Sequence, residues 1–137
     1  MVDRAGMLKD VDRMTMAGCR VYICDDSPDY RLLLRMVLSD VGATVVGEGC
    51  DGQECVDAAA ESDPTLVLLD LNMPGRTGLE ALPDLRASLP KAKIVVLTTS
   101  KAAETERAAL MLGADAFVSK PMDATAVPEL LREKLAA

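Results

Sequence analysis

The sequence of 137 residues contains no histidine and no tryptophan, and its aromatic side chains are limited to two Tyr and one Phe. Without histidine, a Ser-His-Asp triad, a His-ligated zinc site and a phosphohistidine carrier are all excluded. So few rings disfavour a stacking platform for single-stranded nucleic acid, which needs several exposed aromatic side chains. Any phosphorus chemistry in this chain must therefore rely on carboxylates, hydroxyls or lysine.

Long apolar segments are missing as well. No run approaches the roughly 18 apolar residues that a membrane-spanning helix requires, and charges throughout residues 1–18 leave no recognisable signal peptide. The formal net charge is −7, so a face that binds duplex nucleic acid would have to overcome repulsion from phosphate. We therefore expect no membrane insertion and no direct nucleic-acid binding by this chain.

The chain has four cysteines, Cys19, Cys24, Cys50 and Cys55, which could in principle form two disulfides. Because no signal peptide is recognisable and Cys24 lies inside a strand-like run, we interpret all four as reduced, mostly buried thiols of a cytoplasmic protein. The spacing of Cys50 and Cys55 suits neither a C-x-x-C redox pair nor a zinc half-site.

From residue 19 onward, short apolar segments typical of buried strands alternate with amphipathic segments typical of helices. The predicted strands span residues 19–24, 43–49, 65–70, 93–100 and 115–121. The first predicted helix begins at Ser27-Pro28 and ends before Gly42, and the others span residues 51–62, 79–88, 101–112 and 123–135. Five such repeats predict one α/β domain with a five-stranded, parallel, doubly wound sheet.

The first helix and the residues that precede the first strand lead to more specific expectations. In the first helix, Leu33, Met36 and Leu38 are among the apolar residues that recur at roughly helical spacing. Residues 1–18 show no clean period, so we expect a flexible or helical extension before a domain of residues 19–137.

Charged and hydroxyl side chains stand where the predicted strands end: Asp25 and Asp26 after the first, Asp70 after the third, Thr98 in the fourth and Lys120 in the fifth. Because the carboxyl ends of parallel strands meet at one edge of a sheet, we expect these side chains to converge. Three neighbouring carboxylates raise each other's pKa unless a cation lies among them. Oxygen ligands without His or Cys favour a hard cation, above all Mg²⁺.

A carboxylate beside Mg²⁺, a lysine and a hydroxyl is the residue set of a phosphoryl-transfer site. We predict Asp70 as the nucleophile, since it stands alone after the central strand and precedes a turn-forming segment. Structural roles are the alternatives: the acid pair could cap the following helix, Thr98 could bond to backbone, and Lys120 could be solvated.

Four motifs at these strand ends together resemble the receiver domain of two-component response regulators. They are Asp25-Asp26, the segment LLDLNMPG at residues 68–75, Thr98 and Lys120-Pro121. Their order and separation along the chain suit this family, and the resemblance covers roughly residues 19–135. It implies a flavodoxin-like fold with strand order 2-1-3-4-5.

The resemblance implies a phosphoacceptor and a metal site. Asp70 would accept a phosphoryl group from a phosphohistidine on a sensor histidine kinase or a phosphotransfer protein. Asp26, Asp70 and the backbone carbonyl of Asn72 would bind Mg²⁺, and Asp25 would contribute mostly through water.

The resemblance also implies a switch. Thr98 would move to bond a phosphoryl oxygen, and Lys120 would pair with the phosphoryl group. Phe117 occupies the position of the family's switch aromatic, whose inward rotation would follow and would change the surface of helix 4, strand 5 and helix 5. We expect a downstream protein or a second copy as the output partner, from a stand-alone receiver or a piece of a longer regulator, and no turnover enzyme.

Three other interpretations compete with this one. A degenerate receiver would bind partners without phosphorylation, although every key position is filled. A small Mg²⁺-dependent phosphatase with an aspartyl-phosphate would use a D-x-D pair on the first strand, whereas Asp25 and Asp26 are adjacent. The segment GEGCDG at residues 47–52 matches a dinucleotide motif, but Glu48 and Asp51 place negative charge where a pyrophosphate would lie.

Overall fold

Residues 15–136 are described in a computed structural model, and along this part of the chain five β-strands alternate with five α-helices. The strands are β1 Arg20–Cys24, β2 Thr44–Gly49, β3 Leu66–Leu69, β4 Lys93–Thr98 and β5 Ala116–Ser119. The helices are α1 Pro28–Asp40, α2 Gly52–Ala59, α3 Gly78–Ser88, α4 Ala103–Met111 and α5 Val127–Ala136. Short 3₁₀ turns at Ala60–Ser62 and Ala124–Ala126 adjoin α2 and α5.

The strands form one parallel sheet in the order β2-β1-β3-β4-β5, which confirms the predicted fold class and strand order. All four residues of β3 are buried because helices cover both faces of the sheet. The direction in which strands are added reverses between β1 and β3. The carboxyl ends of these two strands therefore flank the switch point at which open α/β sheets place their functional sites.

Side chains that alternate along the strands divide the interior into two hydrophobic cores, one on each face of the sheet. One core joins Leu82 of α3 to Phe117 of β5. The other joins Leu34 of α1 to Leu131 of α5. The sheet is thus packed on both faces, and its carboxyl edge supports the side chains that follow the strands.

The packed face of α1 differs from the one that apolar spacing suggested. Leu34 and Leu38 are almost fully buried, whereas Leu33 and Met36 are 47% and 56% exposed. Leu32 is exposed as well, so α1 carries more apolar side chains than its contact with the sheet can cover. Spacing within the helix could not identify the packed stripe for this reason.

This packing predicts very different costs for two adjacent truncations. We expect Leu34→Ala to lower the free energy of unfolding by about 2–5 kcal/mol because it leaves a cavity in a filled core. Leu33→Ala should cost less than about 1 kcal/mol, since its side chain is half exposed. Urea denaturation of both variants measures the difference, and equal costs would contradict the packed face assigned to α1.

The segment that precedes β1 is bonded to the end of α1. The amide of Met16 donates to the carbonyl oxygen of Val41 at 2.6 Å, and the Thr15 hydroxyl donates to the same oxygen at 3.3 Å. Met16 also packs against the core that contains Leu34. The rest of the predicted extension, residues 1–14, lies outside the described residues.

The four cysteines are free thiols, of which Cys24 and Cys55 are buried and Cys50 is exposed. Burial, reinforced by the neighbouring Cys55 side chain, raises the pKa of Cys24 and keeps it a neutral thiol. Within residues 15–136, no helix has the length and apolar content needed to cross a bilayer.

Candidate functional site

Three carboxylates gather around one lysine at the carboxyl edge of the sheet. Asp25 and Asp26 follow β1, Asp70 follows β3, and carboxylate oxygens of the three residues lie within 4.8 Å of one another. Lys120, which follows β5, has its Nζ 2.7 Å from Asp25 Oδ2 and 3.1 Å from Asp70 Oδ2. The charged side chains predicted from the strand ends therefore meet at one place.

The backbone of the sheet fixes where these side chains begin. The amide of Asp70 donates to the carbonyl oxygen of Cys24 at 2.9 Å, and the amide of Lys120 donates to that of Thr98 at 2.8 Å. Parallel pairing thus extends just beyond the strands. As a result, hydrogen bonds hold the backbones of Asp70 and Lys120 at the carboxyl edge of the sheet, where their side chains meet.

Burial makes charge costly at this site. Asp25 and Asp70 are 2% and 4% exposed, whereas Asp26 is exposed. Burial raises the pKa of Asp25, although bonds from Lys120 and from the amide of Ser27 oppose that rise. Burial alone would lower the pKa of Lys120, but its bonds to the two carboxylates outweigh this and raise it. The ammonium group therefore stays charged.

The donor set fits a hard divalent cation. Three carboxylates face the one ammonium of Lys120, so their negative charge exceeds the positive charge bonded to them. One oxygen of Asp25 accepts the Ser27 amide at 2.9 Å and the other is bonded to Lys120, while Asp26 lies at the solvent side. Oxygen ligands with excess negative charge are the ligands that Mg²⁺ prefers in proteins.

Asn72 connects the carboxylates to the hydroxyl groups of Thr98 and Thr99. Its backbone amide donates to Asp70 Oδ1 at 3.1 Å. Its side-chain Nδ2 donates to Thr98 Oγ1 at 3.3 Å and to Thr99 Oγ1 at 3.4 Å. Thr98 is fully buried. Asn72 therefore bridges the two predicted residues, with its backbone amide bonded to Asp70 and its side chain bonded to Thr98.

Phe117 lies on the same face of the sheet as Thr98, two register positions away. In the pairing of β4 with β5, Val96 stands opposite Phe117 and Thr98 stands opposite Ser119. The Phe117 side chain is only 6% exposed and belongs to the core that contains Leu82. The predicted switch aromatic is packed inward in this structure.

Tyr30 is a site residue that the sequence analysis missed. Lys120 Nζ lies 4.4 Å from the centroid of the Tyr30 ring. Ser27 Oγ accepts the Tyr30 amide at 3.2 Å and Pro28 occupies the first turn, which confirms the predicted start of α1. Because α1 begins just after Asp26, its first turn must lie near the carboxyl edge of the sheet. This position in the sequence was the one signal that could have indicated Tyr30.

The glycine-rich segment at residues 47–52 begins within β2 and continues into the start of α2. Glu48 forms ion pairs with Arg31 and Arg35, and these pairs lower the pKa of Glu48 despite its partial burial. Asp51 Oδ1 accepts the amide of Glu54 at 2.8 Å as the N-cap of α2. Both acids that argued against a dinucleotide site thus have structural partners.

Comparison with known proteins places these observations in a family. The family model of the response regulator receiver domain matches residues 21–132. The chain is 32% identical to chemotaxis protein CheY of Thermotoga maritima over 116 residues, which cover 85% of this chain and 97% of CheY. It is 39% identical to nitrate/nitrite response regulator protein NarL of Escherichia coli (strain K12) over 104 residues, 75% of this chain.

The length covered differs between these relatives. The chain spans nearly all of CheY but only 48% of NarL. Among solved structures, the response regulator domain of Thermotoga maritima CheB superimposes with a TM-score of 0.75 at 31% identity, covering 87% of this chain and 95% of that one. With its sheet order, its acidic edge and these matches, the chain belongs to the response regulator receiver domain family.

Proposed function

We propose that this chain accepts a phosphoryl group on Asp70 from a phosphohistidine of a sensor histidine kinase or a phosphotransfer protein. The observation that carries the proposal is the bonding of Asp70, a buried carboxylate with Lys120 Nζ on one oxygen and the Asn72 amide on the other. Membership of the receiver domain family supports the same role.

The phosphoacceptor chemistry follows from these contacts. In the transfer, a bond forms between a carboxylate oxygen of Asp70 and phosphorus while the bond from phosphorus to the donor's imidazole nitrogen breaks. Negative charge on the three phosphoryl oxygens must then be neutralised. Lys120, already bonded to Asp70 Oδ2, supplies positive charge, and the Asn72 amide fixes the orientation of the carboxylate.

Receiver domains bind Mg²⁺ at their acidic pocket, and the donor set described above suits that ion. In our proposal, Asp26, Asp70 and the backbone carbonyl of Asn72 would hold it, with Asp25 contributing mostly through water. When bound, Mg²⁺ would neutralise charge on the phosphoryl oxygens. Asp25 meanwhile keeps Lys120 in place through its 2.7 Å ion pair.

The proposed conformational switch begins at the hydroxyl group of Thr98. An aspartyl phosphate carries about −1.5 to −2 charges where the free carboxylate of Asp70 carries −1, and it places three acceptor oxygens beside Asn72. In our proposal, these oxygens attract the hydroxyl of Thr98, which Asn72 bonds in this structure. Phe117, two register positions away, would transmit the movement to the surface of α4, β5 and α5. A downstream protein or a second copy of the chain would recognise that surface.

The proposed setting is the cytoplasm. There the chain would cycle between free and phosphorylated forms and would not turn over an external substrate. The chain could work alone or within a longer regulator, and the differing lengths of CheY and NarL illustrate both cases. The proposed chemistry at Asp70 is the same in either case.

Intact-mass measurement after incubation with acetyl phosphate and Mg²⁺ tests the proposal. The parent chain should gain one phosphoryl group of about 80 Da, and Asp70→Asn should gain none because the nucleophilic oxygen is gone. Asp29→Asn, a matched change at an exposed acid of α1, should behave as the parent does. Addition of EDTA should suppress the gain.

Three results would refute it. An equal gain in Asp70→Asn would place the phosphoryl group elsewhere. No gain in the parent chain with Mg²⁺ present would favour a degenerate receiver that acts without phosphorylation. Hydrolysis of an aryl phosphate at many equivalents per chain would instead favour a phosphatase.

A further inference from the structure

We propose that Tyr30 is a positioning residue for Lys120, holding its ammonium group over the phosphoacceptor by an attraction between the cation and the aromatic ring. The inference rests on the proposed function, in which Lys120 pairs with the phosphoryl group on Asp70. Neither the acid motif nor the Lys-Pro motif contains Tyr30, and its place emerges only from the position of Lys120 Nζ over the ring of this first-turn residue of α1.

The geometry of the pair meets the requirements for such an attraction. Lys120 Nζ lies 4.4 Å from the ring centroid of Tyr30, well inside the range of about 6 Å over which a ring attracts a cation. The Lys120 side chain is 13% exposed, so little water competes for its charge. Desolvation strengthens this kind of interaction. The ring is therefore a third partner of the ammonium, besides Asp25 and Asp70.

Tyr30 is itself held in place from two directions. Its amide donates to Ser27 Oγ at 3.2 Å, so the capped first turn of α1 fixes its backbone. Its ring packs against the core that contains Leu34 and Leu131. The hydroxyl is buried and finds no hydrogen-bond partner among residues 15–136. The ring, and not the hydroxyl, therefore carries the contact with Lys120.

A ring is suited to this task because Lys120 must serve two states. Before phosphorylation its ammonium bonds to Asp25 and Asp70, and afterwards it must also reach phosphoryl oxygens. Hydrogen bonds to carboxylates depend on direction, whereas the face of a ring attracts a cation over a broad area. Tyr30 can thus stabilise the ammonium throughout the movement and keep it near the reacting group.

Two variants separate the ring from the hydroxyl. Tyr30→Phe keeps the ring and removes the unpartnered hydroxyl, so it should preserve the function. Tyr30→Leu keeps an apolar side chain and removes the ring. Should Tyr30→Leu fail to fold, Tyr30→Met takes its place. Folding of each variant is checked by circular dichroism and urea denaturation.

The first readout is structural and independent of activity. In a ¹H–¹³C NMR spectrum, the ε-methylene protons of Lys120 should be shifted upfield by the ring current of Tyr30. Lys120→Met identifies these signals by their loss. We expect the upfield shift to persist in Tyr30→Phe and to disappear in Tyr30→Leu. Its absence from the parent chain, or its persistence in Tyr30→Leu, would overturn the inference.

The second readout is the rate at which acetyl phosphate phosphorylates each variant. Tyr30→Leu should react about tenfold more slowly than the parent, and Tyr30→Phe within about twofold of it. In a Lys120→Met background, Tyr30→Leu should cause no further loss. An equal loss in that background would show that Tyr30 acts independently of Lys120 and would overturn the inference. If the parent gains no phosphoryl group yet shows the ring-current shift, the proposed function fails and the pairing of Tyr30 with Lys120 stands.

Discussion

Replacing Gly78 by alanine is expected to lower the free energy of unfolding by about 3 kcal/mol and to impair the proposed phosphoacceptor site at the same time. Gly78 is the buried first residue of α3. A Cβ atom at this position would lie 2.1 Å from the backbone oxygen of Asp70 and 3.0 Å from Leu71 Cα. Both neighbours are backbone atoms, which cannot rotate away, so the chain around Asp70 must move.

The displaced group is the carbonyl of Asp70, the proposed phosphoacceptor. The position of the Asp70 side chain depends on that backbone, which pairs with Cys24 of β1. We therefore expect slower phosphorylation by acetyl phosphate in Gly78→Ala, even at temperatures where the variant remains folded. Urea denaturation and intact-mass time courses measure the two effects.

Gly75 provides the matched control. It has a φ of +66°, and nothing lies within 4 Å of a Cβ atom built on it. Gly75→Ala should therefore cost only the strain of a left-handed backbone, about 1–2 kcal/mol, without a clash. If Gly78→Ala were no more costly than Gly75→Ala and were phosphorylated at the parent rate, the close approach between α3 and Asp70 would be wrong.

Lys120→Met is expected to have the other large effect, a loss of about 3–5 kcal/mol of stability in EDTA near neutral pH. The substitution removes the ammonium group that bonds to Asp25 and Asp70 and leaves these two buried carboxylates without it. Repulsion between them, and with Asp26, is then opposed only by water and backbone donors.

Added Mg²⁺ should restore part of this loss, because a divalent cation among the carboxylates replaces the missing charge. The parent chain should gain less stability from Mg²⁺ than the variant does. Urea denaturation with EDTA and with Mg²⁺ measures both gains. Lys101→Met, at an exposed lysine, is the control and should change stability by less than about 1 kcal/mol. A cost for Lys120→Met that matches this control, or that Mg²⁺ leaves unchanged, would contradict the assigned role of the ammonium.

Much of the fold could be predicted from local patterns in the sequence. A strand buried on both faces needs a continuous apolar run, as in residues 66–69, and a helix start is marked by capping chemistry, as at Ser27 and Pro28. Parallel strands bring their carboxyl ends to one edge. The meeting of Asp25, Asp70 and Lys120 could therefore be anticipated from their positions after strands, before any distance was known.

The α1 helix shows where local pattern was insufficient. Leu33 and Leu34 are adjacent and chemically identical, yet the first is half exposed and the second is buried. The choice between them depends on how α1 is rotated against the sheet. That rotation is set by the shape of the core shared with α5, which no periodicity within residues 28–40 contains.

The sequence by itself thus determined the βα order, the parallel sheet and the acids and lysine at its edge, because each of these depends on residue type and neighbours along the chain. Only the tertiary structure decided that Asn72 bridges Asp70 to Thr98 and that the ring of Tyr30 lies over Lys120. Asn72 and Thr98 are 26 positions apart, and Tyr30 and Lys120 are 90 apart, so these contacts depend on the rotation of α1 and on the span from β3 across β4 to β5. Such angles and spans arise from packing of the whole domain.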